Sequence, residues 1–341
     1  MDELISGAFE RLLADHCNAA AVRAIEHDRG AQRVWQAFVE SGFPDTVLAS
    51  AHGGAGLALR DAYPLFEACG RYAVPLPFAE TMALRAALAQ AGGEAALAGV
   101  TGPLGIAPRA ARSAEDIVLA RVPHGLHCEW VALEHDGRPA LWPTAEAEVS
   151  CTGIAGCRDA TIRWHGVPRA ARALPPLDWP TLGASLCAAR MAGAMARVLE
   201  LSLDHARQRV QFGRPIGKFQ AMQQQISQLA ERVAATRIAA QLALPAEGIA
   251  PRPDAAPMAK GYASEAAVLV CAVAHAVHGA IGITAEHDLS LFTRRLHEWR
   301  AHYGSESYWY ERLGAAWIDM PEASQASALD YVRGQLSPSL A

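Results

Sequence analysis

The amino-acid sequence predicts a mainly α protein with a small β domain set into its middle, and three changes of texture along the chain carry that expectation. Residues 1 to about 95 place apolar side chains at three- and four-residue spacing, as in I-S-G-A-F-E-R-L-L and L-R-D-A-Y-P-L-F-E-A-C-G-R, which is the period of a helix with one buried face. From about 103 to 174 the runs become short and β-like, I-V-L-A-R-V, W-V-A-L-E-H and A-T-I-R-W, and P-H-G, H-D-G-R-P and G-V-P punctuate them as turns. Helical periodicity returns from about 178 in four or five long segments. The expected division is an N-terminal helical domain (1–102), a shortened middle β domain (103–176) and a C-terminal helical bundle (177–341).

Within that order, F-P-D-T-V-L-A-S-A-H-G-G-A-G-L reads as a loop between the first helices. M-A-R-V-L-E-L-S-L-D-H-A-R-Q-R-V and the glutamine-rich F-Q-A-M-Q-Q-Q-I-S-Q-L-A-E-R-V read as two bundle helices, and the proline-rich A-E-G-I-A-P-R-P-D-A-A-P reads as the loop before the next. The tail P-E-A-S-Q-A-S-A-L-D-Y-V-R-G-Q-L reads as a short amphipathic helix serving a subunit interface.

With 341 residues and 51% hydrophobic content the chain can bury a large core. Thirty basic against thirty-five acidic residues, a net charge of −5, argue against nucleic acid or an anionic membrane as partner. The seven cysteines are scattered and never in a C-x-x-C pair, which points to reduced thiols in a cytoplasmic protein and to no zinc site. The acidic start M-D-E-L-I-S is unlike a signal peptide, and A-A-V-L-V-C-A-V-A-H-A-V-H-G is read as too short for a bilayer span. In P-H-G-L-H-C, His124, His127 and Cys128 lack a fourth metal ligand at a recognised spacing and are expected as a turn with partly exposed imidazoles. His275 and His278 are expected to pack in the core or an interface.

The stretch R-V-Q-F-G-R-P-I-G-K-F-Q, residues 209–220, interrupts the helical region. Two readings stand. In one, Gly213 and Pro215 merely stop a helix and Phe212 and Ile216 cap the core. In the other, Arg209 offers its planar guanidinium to a diphosphate, while Phe212 and Phe219 offer flat apolar surface to a heterocycle.

A resemblance separates them. R-x-x-F-G-x-x-I-x-x-F-Q before a long glutamine-rich helix resembles a signature of the acyl-CoA dehydrogenases, flavoproteins that desaturate acyl-CoA thioesters between the α and β carbons. H-G-G-A-G-L with E-A-C-G-R, G-C-R-D-A-T-I-R-W-H-G-V-P, A-P-M-A-K and H-G-A-I-G-I-T-A-E resemble further family segments in the same order. The resemblance implies an acyl-CoA dehydrogenase-like fold with an N-terminal helical domain, a β-barrel-like middle domain and a C-terminal four-helix bundle. It implies FAD as cofactor, an acyl-CoA substrate and an electron acceptor such as an electron-transfer flavoprotein. Carried over residue by residue, Arg209, Gln211, Phe212, Ile216 and Phe219 match positions that reach the ADP half of a neighbouring subunit's FAD. Gly279, Ala280 and Gly282 match the glycine turn beside the same diphosphate, and Ser305 matches a threonine that touches flavin.

The sequence also departs from the family. The position of the catalytic glutamate that takes the α-proton is Tyr303, and the alternative position upstream on the first bundle helix is Gly183. The segment expected to open the β domain beside flavin is reduced to T-G-P-L-G-I-A-P-R, and V-P-H-G-L-H around His124 replaces another flavin-contacting strand end. Such a pattern resembles the short, base-lacking subunits of heteromeric acyl-CoA dehydrogenases, known from bacterial breakdown of steroid side chains, whose longer partner supplies the glutamate. Two alternatives stay open: a self-sufficient homodimer or homotetramer using Glu298 or Glu306, carboxylates that read first as surface charge, and a flavin-free acyl-CoA-binding scaffold.

Overall fold

A computed structural model describes residues 2–319 apart from 109, 110 and 113–115, together with 327, 329, 330 and 333. The expected C-terminal amphipathic helix falls, but for those isolated positions, outside the described residues. Five helices come first: α1 (Asp2–His16), α2 (Ala19–Glu26), α3 (Ala31–Glu40), α4 (Tyr63–Arg71) and α5 (Phe78–Leu97). Asn18 starts α2 by accepting the Ala21 N–H at 3.0 Å, the ordinary way to satisfy a free helical donor. Phe38 of α3 stacks on Phe78 at the start of α5, rings 3.8 Å apart and 7° from parallel.

Eight strands follow: β1 (Leu104–Ile106), β2 (Ala111–Arg112), β3 (Ile117–Val122), β4 (Trp130–His135), β5 (Arg138–Pro143), β6 (Glu148–Cys151), β7 (Ala160–Trp164) and β8 (Arg172–Ala173). They form two four-stranded sheets, ordered β1-β4-β5-β8 and β2-β3-β7-β6. The sheets close on one small apolar interior in which Leu119, Val131, Ile162 and the edge-to-face pair Trp142–Trp164, 5.4 Å apart, meet. The β4–β5 hairpin turns at Asp136 and Gly137, with φ of 51° and 70°, the paired positive values of a two-residue type I′ turn.

The bundle comprises α6 (Trp179–Gln208), α7 (Gln220–Ala243), α8 (Ala255–His278), α9 (Leu289–Ala301) and α10 (Glu306–Ile318), with a two-strand hairpin, β9 (Val210–Gln211) and β10 (Arg214–Pro215), between α6 and α7. The N-terminal helices and the bundle share one continuous core, in which Phe66, Leu84, Leu186, Met195, Val270 and Trp299 are all buried.

Two helices are long and apolar enough to cross a membrane by length and composition, Trp179–Gln208 and the continuous Ala255–Ile283. The second contains the stretch read from sequence as too short, so length does not argue against a span. What the fold shows instead is burial within the protein, of 83% and 44% of their most apolar windows. All seven cysteines are free, and only Cys151 is exposed.

α4 and α6 cross at two glycines. A Cβ added at Gly70 would lie 1.8 Å from the Arg190 carbonyl oxygen, and one added at Gly193 would lie 1.8 Å from that of Glu67. Because both obstacles are backbone, neither can swing aside as a side chain would. The expected result for Gly70→Ala is a loss of about 3 kcal/mol through forced separation of the helices, read as a lower urea midpoint with little change in slope.

Candidate functional site

The interruption at 209–220 is a β-hairpin. α6 ends when Arg209 turns extended, and its N–H still bonds to the His205 carbonyl at 2.8 Å. Gln211 pairs with Arg214 and Val210 with Pro215, while Phe212 and Gly213 make the two-residue turn with φ of 52° and 79°. Both central residues of a type I′ turn need positive φ, which glycine accepts freely and phenylalanine accepts at a cost of roughly 1–2 kcal/mol. That strained phenylalanine is 91% exposed.

Behind the turn lies a groove of about 460 Å³, lined by Arg209, Gln211, Phe212, Ile216, Phe219 and Gly279, with His205, His278 and the α7 residues Ala221 and Met222 completing it. Six of the nine candidate cofactor-binding residues are therefore brought to one surface. Ala280 and Gly282 continue the turn from Gly279, whose φ of 64° ends α8. Ser305 does not line the groove; it stands at the N-terminus of α10, two residues after Tyr303. The Arg209 guanidinium makes no hydrogen bond or ion pair with the described residues, whereas Arg214 lies over the Phe219 ring at 4.2 Å. An unpaired guanidinium, aromatic surface and a glycine turn together fit the diphosphate and heterocycle of an ADP moiety.

The two positions where a family base would stand face each other, and they are filled. A Cβ on Gly183 of α6 would lie 2.5 Å from the Tyr303 ring. Tyr303, at φ 57°, is buried, and its hydroxyl donates to the Ile106 carbonyl of β1 at 3.0 Å. Burial pushes that hydroxyl's pKa well up, so it stays protonated and is no proton acceptor. The Tyr303 ring therefore fills the space beside Gly183.

Around this contact runs a buried polar network. Arg190 of α6 pairs with Glu80 of α5 at 3.1 Å, each side chain 1% exposed, and its guanidinium lies over the Trp299 ring. A second Arg190 nitrogen donates to Nε2 of His124. Burial first, and then the Arg190 charge, push His124 well below the usual histidine range, so the ring is neutral and accepts. The expected turn of partly exposed imidazoles is thus corrected in part: His127 is half-buried as expected, but His124 and Cys128 are buried, and His124 is tied into the core.

Beside it, His302 Nε2 donates to Asp159 Oδ2 at 2.8 Å in full burial. Burial alone would lower His302, but the Asp159 charge and hydrogen bond override it and raise the pKa to about 9. Lys260 of the A-P-M-A-K segment donates to Ser264 Oγ and to the carbonyls of Arg300 and Gly304, which fixes the backbone on either side of Tyr303. The alternative bases are engaged as well. Glu298 accepts from Arg295 at 3.0 Å and Glu306 is gripped by Arg300, so both are half-buried ion pairs rather than surface charge. Cys157, Asp159 and Glu298 bring three ligating atoms within 4.8 Å, but both carboxylates already hold cationic partners in His302 and Arg295.

Sequence reasoning missed Glu80, Arg190, Asp159 and His302. A signal existed for the first two: each is a lone charge inside an alanine- and leucine-rich helix, in F-A-E-T-M-A-L and L-C-A-A-R-M-A-G-A, and a charge on a buried stripe needs a partner. Nothing local marks the Asp159–His302 pair, whose members lie 143 residues apart.

Comparison with known proteins identifies the family. Residues 181–312 match the acyl-CoA dehydrogenase C-terminal domain. The chain is 34% identical over 297 residues to the acyl-CoA dehydrogenase IpdE2 of Mycobacterium tuberculosis, covering 84% of this chain and 87% of that one. It is 27% identical over 338 residues to acyl-CoA dehydrogenase FadE34 of the same organism, covering 92% of this chain but 47% of that longer one. Among solved structures, the ChsE4–ChsE5 complex of M. tuberculosis superposes with a TM-score of 0.78 at 20% identity, covering 94% of this chain and 98% of that one. The Tcur3481–Tcur3483 steroid acyl-CoA dehydrogenase gives 0.80 at 24%, covering 92% and 96%.

The Asp159–His302 pair makes stability depend on pH. A folded-state pKa of about 9 against about 6.5 for an unfolded histidine gives a contribution that is complete below about pH 6.5 and lost as pH rises through 9. Its upper size is on the order of 3 kcal/mol. Urea midpoints at several pH values between 6 and 10 should fall for the native chain. Asp159→Asn should be less stable at pH 6 and show a flatter profile.

Proposed function

Because this chain belongs to the acyl-CoA dehydrogenase family, we propose that it works as the base-lacking subunit of a two-chain enzyme, lending its groove to FAD that a longer homologous partner largely holds. The family assigns it to the oxidoreductases, as an FAD-dependent acyl-CoA dehydrogenase or a subunit of one. The observation that carries the finer reading is the contrast between its two half-sites. Tyr303 packs against Gly183, the two positions that the resemblance matches to a base, while the groove at Arg209, Phe212 and Gly279 stays open to solvent.

In this reading each part has a physical role. Arg209 forms the charge-assisted contact to the diphosphate. Phe212 and Phe219 cover the heterocycle, and the turn at Gly279 lets backbone approach without a side chain in the way. FAD, once bound across the two chains, supplies the hydride acceptor. The α-proton goes to a carboxylate of the partner, because this chain keeps Glu298 and Glu306 on Arg295 and Arg300.

Two comparisons support the partner. FadE34 carries about as much sequence again beyond the part this chain matches, the arrangement expected if two such units were joined in one polypeptide. The ChsE4–ChsE5 complex, one chain of which shares this fold, is named for two chains. The Tcur3481–Tcur3483 likeness favours a bulky polycyclic acyl-CoA as substrate class. Reduced thiols, six of them buried, fit a cytoplasmic setting.

The deciding experiment is to purify the chain alone and with a longer co-encoded homologue. The lone chain should lack flavin absorbance and acyl-CoA-dependent dye reduction, and the pair should show both. Full flavin occupancy with turnover by the lone chain would end this reading, and a colourless, inactive pair would favour the flavin-free scaffold. In the active pair, Arg209→Gln should weaken FAD retention about 10- to 100-fold, the loss of a charged hydrogen bond. Glu298→Gln and Glu306→Gln should keep turnover within a few-fold; a loss of three orders of magnitude in either would instead identify a relocated base.

A further inference from the structure

Three imidazoles gather at the inner end of the groove. His205 of α6 stacks on His278 of α8, centroids 4.5 Å apart and planes 28° from parallel, and His287 meets His278 edge-on at 5.0 Å. His205 and His278 line the groove beside Arg209 and Gly279. His278 Nδ1 donates to the Ala274 carbonyl at 2.8 Å, which leaves Nε2 as its basic atom. His287 Nδ1 accepts the Leu289 N–H at 3.1 Å.

We propose that the His205–His278 stack is a proton-coupled part of the diphosphate site, taking up one proton when a nucleoside diphosphate settles against Arg209. The inference rests on the groove reading above and deepens it. Two neighbouring facts set its sign. An imidazolium over a neutral imidazole is an attractive cation–π pair, whereas two imidazoliums repel, so the stack accommodates one proton and resists a second. A diphosphate brings negative charge to a place where the empty groove holds only the Arg209 cation, and nearby opposite charge favours the protonated ring.

The surroundings of the stack contain little else that would set its charge. From α6, Arg209 acts on His205, while Asp204 is paired with Arg207 at 3.6 Å. From α8, His275 bonds to Thr293 of α9 and feels His297. In the segment before α9, Asp288 is held by Arg23 of α2 at 2.9 Å, and Arg23 also meets the Glu286 carbonyl. Burial is the chief force lowering His278, to about 4, with His205 and His287 adding to it and the carbonyls of Ala274 and Leu201 opposing. Burial, then His287 and Arg209, lower His205. The empty stack is therefore neutral near pH 7 and the occupied stack charged. Affinity should rise as pH falls through the raised pKa of the complex and level off only below the lower pKa of the empty stack.

The test is calorimetric titration of ADP into the protein in its purified assembly, freed of FAD, between pH 6 and 8 and in two buffers of different ionisation enthalpy. The expected result is net proton uptake at pH 7 and about tenfold tighter binding at pH 6 than at pH 8, the limit for one proton being tenfold per pH unit. His205→Phe, which keeps a ring in the stack but cannot titrate, should flatten the profile. Lys218→Gln, a charge change outside the stack, should keep it. ADP binding with no proton uptake and a flat profile overturns the coupling but leaves the groove. No ADP binding at any pH overturns the groove and the coupling together.

Discussion

The ion pair between Glu80 and Arg190 is the interaction on which the interior of this protein is arranged. Two charges with 1% exposure carry a desolvation penalty of several kcal/mol each, which their attraction offsets only when every remaining donor finds a partner. The fold meets that demand only in part, because Arg190 Nε and both Glu80 oxygens find no hydrogen-bond partner among the described residues. Trp299 takes the guanidinium face, neutral His124 accepts from Arg190, and the strand-end loop carrying His124 folds inward at φ 55° to reach it. Tyr303 then fills the space beside Gly183 and closes on Ile106. The departures from family pattern at residues 101–109, 124, 183 and 303 look unrelated along the chain. In the fold most of them are parts of one sealed polar core.

The groove shows the opposite economy. Where the centre is close-packed, the hairpin exposes an aromatic ring at positive φ and leaves the Arg209 guanidinium without a hydrogen bond or ion pair among the described residues. Strain and exposure of this kind persist only where surrounding structure or a partner over-determines them. The α6 helix joins the two regions, with Gly183 and Arg190 at its buried half and His205 and Arg209 at its exposed end. The chain is thus close-packed around Gly183 and Tyr303, while the groove behind its hairpin faces outward.

Much of the fold was legible because its signals are local. The runs I-V-L-A-R-V, W-V-A-L-E-H and A-T-I-R-W coincide with β3, β4 and β7, and H-D-G-R-P is the hairpin turn at Asp136 and Gly137. β5 was hidden by Pro139 and Pro143, which sit within a strand paired on both sides, a place where proline is usually read as a break. The hairpin at 209–220 was anticipated as an interruption but not as strands, since two-residue strands leave no alternation to read.

The sequence by itself determined the architecture, the family resemblance, and the order of a cation, aromatic rings and a glycine turn along the chain, because spacing along a chain reports period, turn chemistry and motif order. Only the tertiary structure decided what fills the space around Gly183 and Tyr303. Tyr303 and Gly183 are 120 residues apart, and Glu80 and Arg190 sit on different helices. Whether such residues leave a cavity or fill it depends on side-chain volume and hydrogen-bond partners across those separations, and these exist only once α5, α6 and the β domain have packed together.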